Sequence, residues 1–461
     1  MKVHDIIYYM NMFFFVYMFI YALAFFTTTI FAAFNLDDFF IKKRHMSRSK
    51  IDNDLNYIPV SILVPAYNEE ITIIDTINSL MYLDYPDYEI VVINDGSKDK
   101  TLDTVIEAFN LKEVSKPYRK LVPSRDAIKI YKNRDKVKVI LIDKENGGKS
   151  DALNLGINVS NYPIFLCVDA DSILQRDSLK KIVEPLLESN EAVAVGGNIR
   201  VSNQVIIDKG EVIDIKVPKK AIVTFQTIEY LRVFLNSRIS LNGINSNLII
   251  SGAFGLYKKD AVVKVGGYTH GLMGEDMEIL MKIHSFYRKN NLKYKTSYVP
   301  DAICWTQVPE DFKTLRKQRR RWHVGLGQSL KMHRYMFLNP KYGAVGTISF
   351  PYFVFLEYIT PFLEITGILT IIISFIIGII NTKFLILYLL IYMGYSMIVS
   401  MISIILDRYI FNTEGKIIRK LLLFSILESF GYRQMISLFR LGNILKSKQE
   451  WGEMTRKSNK K

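Results

Sequence analysis

Two aspartates one residue apart stand at the end of an apolar run in the middle of the chain. The run, Phe-Leu-Cys-Val at residues 165–168, is followed directly by Asp169 and Asp171. A short apolar run of this kind is typical of a buried strand. Because side chains alternate along a strand, both carboxylates can face one side and hold a divalent cation through hard oxygen ligands. An isolated Asp-x-Asp is also an ordinary way to turn from a strand into a loop, so the site depends on the rest of the chain.

Strand and helix patterns alternate before these aspartates. The predicted strands are 60–65, 89–94, 137–143 and 164–169, and the predicted helices between them are 69–83, 98–110 and one that begins near Lys149. Such alternation predicts an α/β fold with a doubly wound, mostly parallel sheet, in which ligands bind at the carboxyl ends of the strands. Polar residues stand at three of these ends: Asn68-Glu69, Asp95-Gly96 and Asp169-Ala170-Asp171.

The pattern is less regular elsewhere in this predicted domain. Residues 111–136 are basic and irregular, which indicates an insertion. After residue 177 we expect a helix to residue 188, a strand over 192–196 and a hairpin over 198–217 that turns at Lys209-Gly210. Residues 221–241 carry apolar side chains at helical spacing, and this pattern fits a surface helix and a helix lying against a membrane equally well.

Apolar residues are concentrated at both ends of the chain. Hydrophobic residues make up 49% of the sequence and aromatic residues 13%, more than a soluble enzyme usually needs. Residues 6–34 contain no charged side chain and would span about 43 Å as a helix, enough to cross a bilayer with tilt. Because this run is long and lacks a clear cleavage site, we interpret it as a retained anchor rather than a signal peptide. Lys42, Lys43 and Arg44 follow it, which the positive-inside rule places in the cytoplasm, with the amino terminus outside.

Long uncharged runs also occupy the carboxyl-terminal part. Residues 365–382 and 384–406 separate at Lys383 and predict a transmembrane hairpin. Residues 342–356 form a shorter run with a proline, which fits a segment that lies in the interface or re-enters the membrane. Residues 421–445 are apolar but hold three charges that are costly against lipid: Glu428, Arg433 and Arg440. A cytoplasmic basic tail at 446–461 requires an even number of crossings after the central domain. The sequence leaves open whether the run at 342–356 crosses or the run at 421–445 does not.

The formal net charge of +15 raises the question of nucleic-acid binding. The sequence contains no zinc-finger, homeodomain-like or aromatic-basic RNA signature, so we expect no nucleic-acid partner. Basic residues beside membrane segments explain the charge through anionic lipid. The two cysteines, Cys167 and Cys304, have neither the spacing of a zinc site nor that of a redox pair, and we expect no disulfide in cytoplasm.

Six short motifs occur in a fixed order along the chain. They are residues 64–70 (Val-Pro-Ala-Tyr-Asn-Glu-Glu), 94–97 (Asn-Asp-Gly-Ser), 147–154 (Gly-Gly-Lys-Ser-Asp-Ala-Leu-Asn), 169–171 (Asp-Ala-Asp), 274–276 (Gly-Glu-Asp) and 318–322 (Gln-Arg-Arg-Arg-Trp). Each is weak alone, but the ordered set between apolar ends resembles the processive family 2 glycosyltransferases. These inverting enzymes include cellulose, chitin, hyaluronan and poly-N-acetylglucosamine synthases. Residues 251–254, Ser-Gly-Ala-Phe, and the anchor-domain-anchor arrangement look most like the poly-N-acetylglucosamine synthase type.

The resemblance implies a GT-A type domain that binds a UDP-sugar and a divalent cation, Mg2+ or Mn2+. Two phosphates need their charge neutralised before the leaving group departs, and a cation does this. The resemblance makes Asp171 the metal ligand, with Asp169 beside the metal and near the ribose. The other donor-binding residues that it implies are Tyr67 and Glu69 as one wall of the uracil pocket, Asp95 on uracil, Lys149 on phosphate or base, and Arg321 on the diphosphate. Without the family, Lys149 fits an exposed lysine in the first turn of a helix equally well.

Asp276 is the residue to which the resemblance gives general-base catalysis. In an inverting transfer one carboxylate takes the proton of the acceptor hydroxyl while that oxygen attacks the anomeric carbon. The resemblance gives Glu275 an orienting or acceptor-binding role, and it gives Gln318 and Trp322 the retention of a growing chain. An acidic helix start would explain Glu275 and Asp276 without catalysis. A basic interfacial helix over 313–321 with a tryptophan anchor would explain the last motif.

These observations predict a GT-A domain flanked by transmembrane and interfacial helices. The predicted order is an anchor (1–40), a basic linker (41–58), a cytoplasmic GT-A domain (59–308), interfacial helices (309–341), transmembrane and interfacial helices (342–445) and a basic tail (446–461). The expected function is a multi-pass cell-membrane synthase that polymerises a β-linked polysaccharide, with UDP-N-acetylglucosamine as the favoured donor. Its expected partners are the growing polysaccharide, the bilayer and an accessory export subunit. The alternatives are a transferase that adds one sugar to a lipid-linked acceptor and a noncatalytic membrane receptor or scaffold.

Overall fold

The computed structural model describes residues 3–49, 57–133, 135, 137–379 and 382–442. Its strands are Val60–Ala66 (β1), Tyr88–Asp95 (β2), Lys112–Glu113 (β3), Ala127–Lys132 (β4), Lys138–Lys144 (β5), Ile164–Cys167 (β6), Ser172–Leu174 (β7), Ala192–Val201 (β8), Val205–Asp208 (β9), Glu211–Ile215 (β10), Gly255–Lys258 (β11) and Lys295–Thr306 (β12). The four strands predicted before the Asp-x-Asp correspond to β1, β2, β5 and β6, which confirms them.

The α-helices are Val3–Ser49 (α1), Ile73–Met81 (α2), Thr101–Ala108 (α3), Lys149–Val159 (α4), Ser178–Glu188 (α5), Ala221–Arg232 (α6), Arg238–Gly243 (α7), Lys259–Lys264 (α8), Glu275–Lys289 (α9), Phe312–Met332 (α10), Phe350–Tyr352 (α11), Thr360–Ile376 (α12), Thr382–Phe411 (α13), Gly415–Leu427 (α14) and Arg433–Leu441 (α15). Wider π-helical turns lie at Val233–Ser237, Val345–Ser349 and Phe353–Tyr358, and a kink at Glu428–Tyr432 separates α14 from α15. Short 3-10 turns lie at Arg334–Met336 and Pro340–Tyr342.

Ten strands form one sheet in the order β3-β4-β5-β2-β1-β6-β11-β8-β12-β7. The four neighbours β5, β2, β1 and β6 are parallel, so the carboxyl ends of all four lie at one edge. Antiparallel pairs flank them, because β4 runs against β5 and β11 runs against both β6 and β8. The prediction of a mostly parallel sheet is correct for these four central strands and wrong for the whole sheet, which is mixed.

The predicted irregular insertion at 111–136 contains β3 and β4, which extend one side of the sheet. Only residues 133–137 connect β4 to β5, and a parallel crossover needs a dozen or more residues. The short connection therefore makes β4 antiparallel. The predicted hairpin is also present as β9 and β10, with Lys209 and Gly210 at positive φ in its turn, although residues 198–201 belong to β8.

Helices cover both faces of the sheet. Alternate residues of β1 show the division, since Ile62 packs among α2, α3 and α5 while Leu63 packs among α4, α8 and α9. The strands are apolar on both sides because neither face meets water, which is typical of a parallel sheet covered by helices. Cys167 and Cys304 are both buried as free thiols.

Helix α1 continues well beyond the predicted anchor. It runs without interruption from Val3 to Ser49, so residues 41–49 of the predicted linker are helical. Its far half packs against the sheet domain, where Asn35 Nδ2 donates to the Ile239 carbonyl at 3.3 Å and Lys43 pairs with Asp301. Residues 50–56 of the linker lie outside the described residues.

The segment 221–241 is neither a free surface helix nor one that meets only a membrane. It forms α6, a π turn and α7, and it lies between the sheet domain and the carboxyl-terminal helices. Arg232 at the end of α6 donates to Ser400 Oγ at 2.6 Å and pairs with Glu428 at 2.5 Å. Its polar groups therefore face the protein interior.

Two stretches among the described residues are long and apolar enough to cross a membrane, Asp5–Arg44 and Leu385–Phe411. The pair Val345–Tyr358 and Thr360–Ile376 would be a third if it is one span, since its halves are bent by 43°. The predicted run 342–356 thus joins the run 365–382 in one broken unit. The last predicted run is divided into α14 and α15 by non-helical backbone at Phe430 and Gly431. Residues 443–445 of that run, and the basic tail, lie outside the described residues.

Candidate active site

The loops after β1 and β2 hold each other. The Asn68 N–H donates to Ser97 Oγ at 3.0 Å, and Asn68 Oδ1 accepts from the Lys98 N–H at 2.8 Å. Asn68 is in the left-handed region with φ of 56°, which asparagine tolerates. Tyr67 beside it is 37% exposed, and the Glu69 carboxylate accepts from Thr72 Oγ1 at 2.8 Å. This loop pair thus presents Tyr67 and Glu69 at the end of the parallel strands.

Asp95 is buried at the end of β2 and organises the glycine loop that precedes α4. Its two carboxylate oxygens accept from the N–H groups of Gly147 at 2.9 Å and Gly148 at 2.8 Å. It also pairs with Lys144, whose Nζ lies 2.7 Å from Asp151 Oδ2 and whose side chain has no exposed surface. The resemblance assigns Asp95 to uracil, and this contact stays a prediction. In the structure the Asp95 carboxylate lies beneath the loop that presents Lys149.

Lys149 joins two acidic segments that are far apart in sequence. Its Nζ lies 2.6 Å from Asp169 Oδ1 and 3.3 Å from Glu275 Oε1. Burial opposes the charged form, but the negative charges of Asp169 and Glu275 outweigh it and hold the pKa of Lys149 above its usual value. A Cβ on Gly252 would lie 3.0 Å from Lys149 Nζ, so the missing side chain there leaves room for the ammonium group.

Asp169 and Asp171 lie at the end of β6, as predicted. Burial and the negative charge of Asp169 raise the pKa of Asp171 to about 7. Two crowded carboxylates of hard oxygen fit Mg2+ or Mn2+, because a divalent cation would relieve their repulsion. Among the described residues, no group of three or more His, Cys, Asp or Glu side chains suits a metal. Asp169 and Asp171 are the residues that would hold such a cation.

Asp276 is half-buried at the second position of α9. Its Oδ1 accepts from the Met277 N–H at 2.9 Å, and its Oδ2 accepts from the Gly252 N–H at 3.4 Å. Burial raises the pKa of the neighbouring Glu275, against the opposing charge of Lys149. Asp276 is thus the acid of this pair that is more open and has its oxygens fixed by backbone donors.

Helix α10 carries the last motif beside α9. Asp311 caps its start by accepting from the Thr314 N–H at 2.8 Å. Trp322 is 41% exposed, whereas Arg319 one turn earlier is fully buried. The Oε1 atom of Gln318 is buried and has no hydrogen-bond partner among the described residues, while Arg321 is half-buried. The helix meets the Gly-Glu-Asp segment directly, since Ser329 Oγ donates to the Gly274 carbonyl at 3.2 Å.

The structure thus joins Lys149, Asp169 and Glu275 in contact, with Asp171 and Asp276 beside them in the chain. The predicted residues Tyr67, Glu69 and Asp95 lie at the ends of the neighbouring strands β1 and β2. Gln318, Arg321 and Trp322 lie on α10, the helix that packs against the start of α9.

Five residues of this region received no individual role from the sequence, although three of them lie inside the quoted motifs: Lys144, Asp151, Glu229, Gly252 and Arg319. Lys144 carried a weak signal, because it directly follows a predicted strand and precedes the glycine pair. Arg319 stands in the motif at 318–322, but no signal linked it to Glu229. They form a buried ion pair across 90 residues, which neither spacing nor periodicity reveals.

Two family models match this chain. The model for glycosyl transferase family 2 matches residues 61–266, and the model for glycosyl transferase family group 2 matches residues 164–399, which is half of the chain. The chain is a family 2 glycosyltransferase. The matched ranges together contain every site residue described above, from Tyr67 to Trp322.

Curated relatives of this glycosyltransferase include two bacterial synthases. The poly-beta-1,6-N-acetyl-D-glucosamine synthase of Staphylococcus epidermidis is 31% identical over 290 residues, which cover 62% of this chain and 60% of the relative. The synthase of the same description from Staphylococcus aureus is 33% identical over 269 residues, covering 58% and 54%. The match therefore spans little more than half of each relative's length.

Among solved structures, a mannosyltransferase from Pyrobaculum calidifontis in complex with GDP-Man and Mn2+ is similar to this glycosyltransferase. The TM-score is 0.52 at 18% identity, and the alignment covers 90% of this chain and 99% of that one. At this identity the likeness shows that the two chains share a fold.

Proposed function

We propose that this family 2 glycosyltransferase polymerises a β-linked polysaccharide from a UDP-sugar by metal-dependent inverting transfer. The observation that carries the proposal is the position of Lys149 between Asp169 and Glu275. It joins the acids assigned to the donor diphosphate with the segment assigned to the acceptor. A site of this kind needs both halves within reach of one transferred sugar.

The donor side and the acceptor side of the site have different tasks in the reaction. The acceptor hydroxyl oxygen forms a bond to the anomeric carbon while the bond from that carbon to the diphosphate breaks, and UDP leaves. Asp276 takes the hydroxyl proton, and the two backbone donors at its oxygens orient it for this step. Lys149 balances negative charge beside Asp169, and Glu275 holds Lys149 in place. A divalent cation bound at Asp171 and Asp169 would supply neutralisation of the diphosphate charge.

Several observations support the donor and the membrane setting of this proposal. The staphylococcal relatives are named as poly-beta-1,6-N-acetyl-D-glucosamine synthases, which favours UDP-N-acetylglucosamine as donor. Asp5–Arg44 and Leu385–Phe411 are apolar enough to cross a membrane, which favours a multi-pass enzyme of the cell membrane. The basic residues after the first of these stretches favour a cytoplasmic catalytic domain. Tyr67, Glu69 and Asp95 would form the nucleoside side of the donor site, and Arg321 would face the diphosphate.

The exposed indole of Trp322 favours processive transfer, because its flat apolar surface suits the terminal sugar of a growing chain. Gln318 and Glu275 would complete the acceptor side. Export of the product, alone or with an accessory subunit, would follow from transfer beside the membrane helices. The alternative function is the addition of one sugar to a lipid-linked acceptor. Measuring the size of the product distinguishes this alternative from polymerisation.

The test uses the full chain purified in detergent with Mg2+ or Mn2+. UDP-N-acetylglucosamine, UDP-glucose and UDP-glucuronate are supplied separately, UDP release is measured, and the product is sized on a gel. We expect polymer from UDP-N-acetylglucosamine and a loss of about 100-fold or more in the rate for Asp276→Asn, with nucleotide binding retained. Asp260→Asn is the matched control, since Asp260 is an exposed acid in the first turn of α8. A fully active Asp276→Asn enzyme would refute the general-base assignment, and single-sugar products alone would exclude processivity.

A further inference from the structure

Behind Trp322 lies a buried ion pair that is not part of the Gln-x-x-Arg-Trp pattern. We propose that Arg319, held by Glu229, is a positioning residue that fixes the indole of Trp322 as an acceptor platform. The role as a platform rests on the proposed function, whereas the fixing of the indole rests on the geometry of these three residues.

Arg319 connects the indole to the protein interior. Its guanidinium carbon lies 4.4 Å from the centroid of the Trp322 ring, and its Nη2 lies 2.8 Å from Glu229 Oε2. The Arg319 side chain has no exposed surface, and that of Glu229 is 14% exposed. A desolvated cation against an indole face is a stronger contact than the same pair in water. One face of Trp322 is therefore held by Arg319 while 41% of the residue is left exposed.

Glu229 is itself fixed by elements outside the sheet domain. It lies on α6, where Arg232 three residues later binds Ser400 on α13 and Glu428 next to α14. On the same helix Phe225 stacks on Tyr432, with ring centroids 4.5 Å apart and an interplanar angle of 23°. Helix α6 is thus fastened to the carboxyl-terminal helices on both sides of Glu229.

The order of contacts gives the pair its function. The carboxyl-terminal helices fix α6, Glu229 on α6 fixes Arg319, and Arg319 fixes Trp322. An arginine suits this place because its planar group can stack on an indole and donate to a carboxylate at once. The indole is then oriented before a sugar arrives, so less side-chain entropy is lost when the acceptor binds. Loss of the pair would weaken retention of the acceptor and leave the donor site unchanged.

The experiment compares Arg319→Gln, Glu229→Gln and Arg319→Lys with wild type in the full chain. Product length, UDP release and the KM for the UDP-sugar are measured for each. Trp322 emission is recorded in a background of Trp305→Phe and Trp451→Phe.

We expect about tenfold shorter products for Arg319→Gln, as for loss of one desolvated cation-π contact, with a near-normal KM for the donor. Arg319→Lys should recover part of the length, because lysine keeps the charge. Glu229→Gln should move the Trp322 emission in the same direction as Arg319→Gln.

The chain contains a matched control. Arg200 forms a similar buried pair with Asp407, at 2.9 Å, and its guanidinium lies 5.3 Å from the Trp305 ring. Arg200→Gln should lower the thermal midpoint of unfolding and leave product length unchanged. The proposal is overturned if Arg319→Gln leaves both product length and Trp322 emission unchanged, or if Arg200→Gln shortens the product equally. A wild type that forms no polymer contradicts the proposed function instead, and Trp322 emission then still decides whether Arg319 fixes the indole.

Discussion

Gly274 and Gly325 approach each other so closely that neither has room for a side chain. A Cβ on Gly274 would lie 2.8 Å from the Gly325 carbonyl oxygen, and a Cβ on Gly325 would lie 2.7 Å from the Gly274 nitrogen. Gly274 immediately precedes Glu275 and Asp276, and Gly325 follows Trp322 by one helical turn. This backbone contact therefore sets the distance between the proposed base and the proposed acceptor platform.

We expect Gly274→Ala and Gly325→Ala to reduce sugar transfer strongly and to destabilise the protein by about 1–3 kcal/mol, because backbone atoms must move to admit the methyl group. Transfer rate and the thermal midpoint of unfolding are the measurements. Gly394→Ala is the control, since a Cβ at this position in α13 meets nothing within 4 Å. It should be neutral or slightly stabilising. Wild-type activity in Gly274→Ala would show that this contact does not constrain the site.

Lys144→Met should destabilise the protein by about 3–5 kcal/mol, because it leaves the buried carboxylates of Asp95 and Asp151 without their cation. It should also raise the KM for the UDP-sugar, since Asp95 holds the loop that presents Lys149. Denaturant unfolding and initial rates measure the two effects. Lys264→Met removes an exposed partner of Asp260 and should change stability by no more than about 0.5 kcal/mol. Equal effects of the two variants would contradict the role given to Lys144.

The contribution of Asp171 to the stability of the metal-free protein should fall as the pH rises from about 4 to about 7. The pKa of Asp171 is raised to about 7 from an ordinary value of 3.8, so the native state binds more protons than the unfolded state in this window. Below the window both states are protonated at this site, and above it both are ionised. The thermal midpoint of Asp171→Asn relative to wild type should therefore rise across the window and stay level above it. A difference that does not change with pH would contradict the shifted pKa.

The strands that carry the donor residues could be predicted from sequence because they are buried on both faces. Such strands are continuous apolar runs, and β1 and β2 begin and end within one residue of the predicted bounds. Strand β12 gave no such signal. It contains Pro300 and Asp301, and its pairing with β8 shifts register between Val299 and Ile303. Strand β4 was missed because it is basic and half-exposed at the side of the sheet.

The acids of the site could be placed from sequence because each follows a strand or begins a helix. Their charge partners could not be placed in the same way. Lys144 is the last residue of β5, where a lysine would ordinarily point into water, yet its side chain is fully buried and pairs with Asp95 and Asp151. Gly274 belongs to the motif at 274–276 and Gly325 lies within α10, but no local pattern shows that their backbones touch. Contacts of this kind depend on packing between distant segments, which no local pattern records.

Helix α1 has a mechanical consequence for any bilayer that it crosses. Its 47 residues are about 70 Å long, whereas a bilayer with its headgroups is about 45 Å thick. About 25 Å of the same rod then stands outside the lipid, where Asn35 and Lys43 attach it to the catalytic domain. The height of the catalytic centre above the lipid is thus set by the part of α1 that lies outside the bilayer. A thinner or thicker bilayer would change the tilt of α1, and the attached catalytic domain would tilt with it. Lipid composition would therefore change the angle between the catalytic domain and the membrane.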